Sequence, residues 1–207
     1  MPTPIGHALV GVAIAWSAEA IRRTPKGLPA PSILAVTCAG LAAVPDLDLL
    51  YRPLHRMMTH SVIAPVLAGV IAGAIMRIAH RRAAWQTGIV CGLAYASHLL
   101  LDWLGGDTKI PAGVQLLWPF SDRWFISSWE IFRPTDLGGF FTAPIIRSNA
   151  VAVLREVLFL GPIAIATFFW RRRKLAGRFG QSPASRSRHL LPPSTINESR
   201  PGGRSAT

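Results

Sequence analysis

Charge is what this sequence has least of. Only 15% of its 207 residues are Asp, Glu, Lys or Arg, where a soluble domain carries about 25%. Half of the chain is apolar and the mean hydropathy is positive. That combination excludes a disordered chain, argues against an ordinary cytosolic enzyme and points to the bilayer. Acidic residues are scarcer still, 10 against 22 basic, for a net charge of +12. The basic excess is uneven: from Arg171 onward there are nine Lys/Arg and one acid, Glu198, so a 37-residue tail holds +8 of it. A basic cytoplasmic end of a membrane protein accounts for this charge, and no specific nucleic-acid partner is expected. There are two cysteines, Cys38 and Cys91, both in apolar runs. They form no C-x-x-C and no disulfide framework, and read as small apolar filler. A signal peptide is not expected either, because no positive n-region or small-x-small cleavage site accompanies the first apolar run.

Long apolar runs are present. Five segments qualify, Ile5–Ile21, Pro31–Leu50, Ser61–Ala79, Ala83–Leu104 and about Asn149–Trp170, each 17 to 22 residues long. At about 1.5 Å per residue they reach roughly 25 to 33 Å, which matches a hydrocarbon core of about 30 Å. The expected fold is therefore all-α, a polytopic bundle of about five transmembrane helices. Spans three and four carry Gly69-x-x-x-Gly73 and Gly88-x-x-x-Gly92, a spacing that lets two helix backbones approach closely in lipid.

Orientation follows from Lys and Arg in the short connections. Arg22, Arg23 and Lys26, then Arg77, Arg81 and Arg82, then Arg171 to Lys174 fall on one side if all five spans cross, ten positive charges in total. The expectation is N-terminus outside and C-terminus in the cytoplasm. The long outer connection, about Gly105 to Arg147, is rich in aromatics, proline and glycine and suits an interfacial or re-entrant segment. Residues 1–174 form the expected membrane domain, and 175–207 a disordered basic cytoplasmic tail.

Ionisable groups at membrane spans are costly, so each invites a functional reading. Glu19 is matched by Arg22 and Arg23, three and four residues on, and Arg155 and Glu156 could pair with each other or reach the headgroups. The other His and Asp residues form a set. His7 opens span one, Asp46 and Asp48 close span two, His55 and His60 precede span three, and His98 and Asp102 end span four. A topology drawn from Lys and Arg alone puts all of them at the outer rim. His98 and Asp102 are four apart on a helix, hence on one face. Pro45 interrupts span two, so Asp46 and Asp48 can turn inward. Imidazole with carboxylate and no thiolate suits Zn, Mn or Fe, and this many donors could hold one or two divalent ions. His7, Asp46, His60, His98 and Asp102 are the candidate metal ligands. Asp48, as ligand or base, and His55 are the candidate catalytic residues. Thr59 and Ser61 could orient His60, and Ser61 could cap the third span.

In order along the chain stand Gly6-His7-Ala8-Leu9-Val10-Gly11, Pro45-Asp46-Leu47-Asp48, His55-Arg56-x-x-Thr59-His60-Ser61, Ser97-His98-x-x-x-Asp102 and Leu116-Leu117-Trp118-Pro119-Phe120. Over about residues 5–170 this resembles the YdjM-type family of bacterial inner-membrane proteins, described as metal-dependent hydrolases. Met57 departs from the glycine that members often carry after the His-Arg pair. A looser similarity, in the order of Asp, His and H-x-x-x-D, connects it to zinc-dependent phospholipases C. The family resemblance implies the bacterial inner membrane and metal-dependent hydrolysis, and the looser similarity implies a phosphoester substrate. The expected mechanism is a metal-activated water at the outer rim given by the Lys/Arg topology, where headgroup depth suggests a lipid or lipid-linked substrate with membrane lipids as partners. Two other classes compete: an ion- or proton-translocating protein using the same residues, and a non-catalytic scaffold acting through the basic tail.

Overall fold

In the computed structural model, residues 1–21, 31–79, 83–135 and 142–179 are described. The expected runs form helices α1 (Pro4–Ile21), α2 (Pro31–Ala43), α3 (Ile63–Ile78), α4 (Ala84–Leu104) and α5 (Ala143–Phe179), with a 3₁₀ segment Val44–Leu54 after α2. Among the described residues four stretches are long and apolar enough to cross a membrane: Pro4–Ile21, Pro31–Tyr51, Ala84–Leu104 and Ala143–Gly177. Helix α3 has 16 residues, about 24 Å at 1.5 Å each, and is the shorter apolar member of the bundle. The chain is a helical membrane bundle.

Small residues decide how closely the helices pack. On α3 and α4 the two glycine pairs interdigitate. A Cβ on Gly88 would lie 2.6 Å from the Gly69 carbonyl oxygen, and one on Gly69 would lie 2.9 Å from that of Gly88. The expected close approach is therefore the α3–α4 contact itself, and its register makes the pair antiparallel. On α1, a Cβ at Gly11 would lie 2.4 Å from the Cys38 carbonyl oxygen, so α1 and α2 also meet backbone to backbone. Ala15, Leu34, Cys38, Val90 and Ala94 fill the space among α1, α2 and α4. Both cysteines are buried and free, as filler would be.

Helix α5 lies parallel to α1, tied to it at two levels. Near the start of α1, Glu156 accepts the Thr3 backbone N–H at 2.8 Å and also the Thr3 hydroxyl. Near its end, Arg171 donates to Glu19. The sequence offered Arg22 and Arg23 for Glu19, but both lie outside the described residues, and the pairing seen comes from α5. Nor do Arg155 and Glu156 pair: Arg155 sits over the Phe159 ring, 6.0 Å from its centroid. Along this contact α5 buries a single stripe, Ala152, Glu156, Leu160 and Ala164, spaced by four. Its other apolar side chains, such as Leu158, Ile163 and Phe169, face outward, which lipid tolerates and water would not. With 37 residues, about 55 Å, α5 projects beyond the hydrocarbon and continues past 174 to Phe179. The rest of the expected basic tail lies outside the described residues, as do His80, Phe140, Phe141 and the connections holding Lys26 and Arg81.

Residues 105–135 fold over one end of the bundle. Gly106 N–H donates to the Phe132 carbonyl at 2.8 Å, Ser127 N–H to Trp103 at 2.8 Å, and Val62 N–H to Leu116 at 2.9 Å. The long loop is thus a cap fastened to both α4 and the segment before α3. Phe120 and Trp129 remain exposed on it, as an interfacial segment requires.

Candidate metal centre

Beneath that cap, four helix ends deliver one cluster. Pro4 opens α1 where a missing N–H costs nothing, and His7 follows on the first turn. Pro45 converts the end of α2 into the 3₁₀ segment. In the last turn of α2 before this change of helix type, the Ala42 carbonyl accepts the His98 Nδ1–H at 2.8 Å. The same segment turns Asp46 towards His98 and Asp48 towards His60. His60 ends the turn before α3, and His98 and Asp102 stand one turn apart on α4. Helices that alternate in direction bring an N-terminus, a C-terminus, an N-terminus and a C-terminus to one rim, as the sequence implied.

The donors are close. His98 Nε2 lies 3.0 Å from His60 Nε2, 3.1 Å from Asp102 Oδ2 and 3.8 Å from Asp46 Oδ1. His60 Nε2 is 3.3 Å from Asp102 Oδ2, and His7 Nε2 is 3.5 Å from Asp102 Oδ1. The His7 and His98 rings stack at 3.8 Å. His7, His60 and His98 are fully buried, and Asp102 nearly so. Donors about 2.1 Å from a shared cation stand about 3.0 Å apart in an octahedron and about 3.4 Å apart in a tetrahedron. His60 with His98 and Asp102 has this spacing, and His7 with Asp46 and His98 forms a second, looser grouping.

Hydrogen bonding shows why a cation fits. The Ala42 carbonyl can only accept, so His98 is protonated on Nδ1 and, when neutral, presents a lone pair on Nε2. His60 Nδ1 faces Asp48 Oδ2 at 3.1 Å, and the Thr59 hydroxyl, which donates to the same oxygen, lies 3.0 Å from that ring nitrogen. A neutral His60 donating to Asp48 also presents a lone pair on Nε2. Two lone pairs facing each other at 3.0 Å repel unless a proton or a cation sits between them. Asp102 adds two carboxylate oxygens that, with His7 Nε2 and Asp46 Oδ2, are buried and accept or donate no hydrogen bond. Burial pulls the His60 imidazolium down, but Asp102 and Asp48 outweigh it and hold that imidazole up at about 9. The pocket calls for positive charge, and no thiolate is among its donors.

Every candidate ligand and catalytic residue lies in this cluster or is hydrogen-bonded to it. His7, Asp46, His60, His98 and Asp102 converge. Asp48 and His55 stand behind His60: Asp48 takes the His55 Nδ1 contact, the Arg56 N–H at 3.1 Å and the Thr59 hydroxyl. Thr59 orients His60 as expected, but Ser61 does not, because its hydroxyl donates to the Met58 carbonyl at 2.9 Å. Nor does Ser61 cap α3, whose N-cap is Val62.

Two features escaped sequence reasoning. Arg56 forms a two-pronged ion pair with Asp107, including an Nη2–Oδ1 contact of 3.3 Å. Asp107 also accepts the backbone N–H groups of Lys109 and Gly113 at 3.1 and 3.0 Å. Arg56 has φ +69°, a left-handed conformation that costs a non-glycine residue roughly 1 kcal/mol. The ion pair and the N–H to Asp48 hold it there. The second feature is Glu156, whose clamp on Thr3 sets the start of α1 one turn ahead of His7. A cavity of about 130 Å3 opens beside the cluster, lined by Asp46, His55, Arg56, Asp107 and Lys109 among others. A larger cavity, about 540 Å3, runs along the four glycines of α3 and α4 and is lined by no titratable side chain.

Comparison with known proteins agrees with this architecture. Residues 1–175 match the family described as YdjM inner membrane protein. The inner membrane protein YbcI of Escherichia coli (strain K12) is 27% identical over 183 residues, covering 84% of this chain and all of that protein. No solved structure matches.

Proposed function

The chain belongs to the YdjM family of multi-pass inner-membrane proteins, and from that premise we propose that it is a metal-dependent hydrolase acting at the membrane surface. The observation that carries this reading is the pair of imidazole Nε2 atoms 3.0 Å apart, each pinned from behind and both facing Asp102. His7, Asp46, His60, His98 and Asp102 would hold a divalent cation, with Zn favoured over Mn or Fe. One ion fits better than two, because His98 belongs to both groupings and has only Nε2 to give once Nδ1 is bonded to Ala42. When bound, such a cation supplies a water acidic enough to act as a nucleophile near neutral pH.

The chain's own groups do the rest. Asp48, engaged by four neighbours, positions His60 and His55 and fixes their tautomers. His55 borders the open cavity with Asp48 at its Nδ1 and is the group that exchanges a proton with the reacting water. The Arg56 Nε–H that now reaches His55 Nε2 at 3.2 Å must yield when substrate enters. A rim at headgroup depth would favour a phosphoester or lipid-linked substrate. The site end faces outward in this reading, since Arg77 near the end of α3 and Arg171 to Lys174 on α5 lie at the other end. Single cysteines at Ile110 and Arg81 should then be labelled by an impermeant reagent from opposite sides.

The primary test is elemental analysis of detergent-purified protein beside hydrolysis of bis(p-nitrophenyl) phosphate. Close to one metal per chain is expected, lost in His60→Ala and Asp102→Ala, whereas His55→Ala should keep the metal and lose turnover. Metal-free wild-type protein with an intact fold would remove the reading.

A further inference from the structure

The open cavity beside the cluster is small, about 130 Å3, well under the roughly 300 Å3 at which pockets begin to enclose a whole drug-sized molecule. Only one end of a substrate can enter it. Its wall is charged in a particular way. Asp46 joins it to the cluster, and the Arg56 guanidinium is already matched by Asp107. Lys109 is the remaining side-chain cation, exposed at the mouth and without an ion-pair partner among the described residues. Its position is built rather than incidental: Asp107, braced by Arg56, accepts the Lys109 backbone N–H and the Gly113 N–H, folding the loop so that Lys109 stands over the opening. Beside the mouth the surface is apolar. Ile110 is 97% exposed and Leu50 is 88% exposed, each next in sequence to a residue that lines the cavity. Exposed apolar side chains flanking a cationic mouth fit a ligand with an anionic head and a hydrocarbon body.

We propose that this mouth is a phosphate subsite: Lys109 receives the phosphate of an amphiphile's headgroup and presents it to the cluster through the Asp46 side of the cavity, while the apolar part stays in the leaflet against Ile110 and Leu50. The proposal rests on the hydrolase reading and names its substrate class. Lys109 sets which anion enters and need take no part in bond breaking.

The test uses the full chain in nanodiscs, with metal content measured first. Phosphatidic acid in phosphatidylcholine discs, phosphatidylcholine alone, and inorganic phosphate added to phosphatidylcholine discs are compared by protection of a fluorophore on Ile110→Cys. Protection by phosphatidic acid is expected, weakened about tenfold in Lys109→Glu and retained in Lys109→Arg, with metal content unchanged in both. Equal protection by inorganic phosphate would keep the subsite and name free phosphate as its source. Wild-type binding of neither, or Lys109→Glu binding as well as wild type, overturns the proposal. A protein that takes up no metal fails the hydrolase reading by its metal content alone, and the wild-type against Lys109→Glu contrast is still read on it.

Discussion

Replacing Gly88 with alanine tests whether the glycine contact between α3 and α4 sets the geometry of the cluster. The new methyl group would begin 2.6 Å from the Gly69 carbonyl oxygen and 3.3 Å from the Gly73 Cα. Both neighbours are backbone, so no side chain can swing aside. A carbon and an oxygen need about 3.2 Å or more, so the helices must part by roughly half an ångström or more, losing dispersion contacts along their shared length. Overpacking of this kind costs about 1–3 kcal/mol, against up to about 1 kcal/mol returned by the better helix propensity of alanine. A net loss of about 1–2 kcal/mol is expected. Gly40 on α2 supplies the control, because a Cβ there meets nothing within 4 Å; Gly40→Ala should be neutral or stabilising by a few tenths of a kcal/mol to about 1. The assay is thermal unfolding by circular dichroism in detergent, with bound metal measured on the same samples. Because His60 ends the turn leading into α3 and α4 holds His98 and Asp102 at its end, parting the two helices should also weaken metal binding in Gly88→Ala and leave Gly40→Ala unchanged. Equal melting temperatures for the two variants would refute the claim that backbone contact positions these ligands.

Three further outcomes follow from the same geometry. Asp48→Asn removes the carboxylate behind His60 without touching a proposed ligand; metal affinity should fall about 10- to 100-fold, read by competition with a chelating dye. Glu156→Ala leaves the buried Thr3 N–H and hydroxyl without their acceptor and should destabilise by about 2 kcal/mol, whereas Glu156→Gln, which can still accept from the N–H, should lose under half of that. For pH, the His60 imidazole of the metal-free protein is held up at about 9, above the unfolded value of about 6.5. Its contribution to metal-free stability is therefore complete below about 6.5 and lost as pH rises through about 9. A cation must displace that proton, so apparent affinity should climb up to about tenfold per pH unit between pH 7 and 8.5, measured by isothermal titration in several buffers. A flat profile would place the proton elsewhere.

Much of the arrangement could be read from the chain because lipid imposes strict rules. Apolar runs of bilayer length became helices, and Gly69, Gly73, Gly88 and Gly92 showed where two backbones touch. The site was legible for a topological reason. Helices that alternate in direction carry residues from the start of one run and the end of the next to the same rim, so His7, Asp46, His60, His98 and Asp102 could be grouped with no contact known. What escaped notice depends on partners far apart in sequence and on backbone states with no local signature. Glu156 looked like a neighbour for Arg155, yet it is buried against Thr3, 153 positions away. Arg56 carries no local sign of its state, yet it is buried in a left-handed conformation against Asp107.

These two unforeseen contacts share a physical role. A cluster of five polar side chains in an apolar bundle would spread apart under its own carboxylate repulsion and desolvation unless the elements bearing it were fixed independently. Glu156 fixes the start of α1, which bears His7. The Arg56–Asp107 pair fixes the turn that bears His60 to the loop after α4, and the Ala42 carbonyl fixes His98 against α2. Each proposed ligand-bearing helix end is thus tied down by a bond that uses none of the donors facing the centre. A site built this way keeps its donors 3.0 to 3.8 Å apart without drawing on the cation for its shape. Removing metal should therefore leave the helix bundle folded, and loss of metal in Asp102→Ala can be read as loss of a ligand rather than loss of the fold.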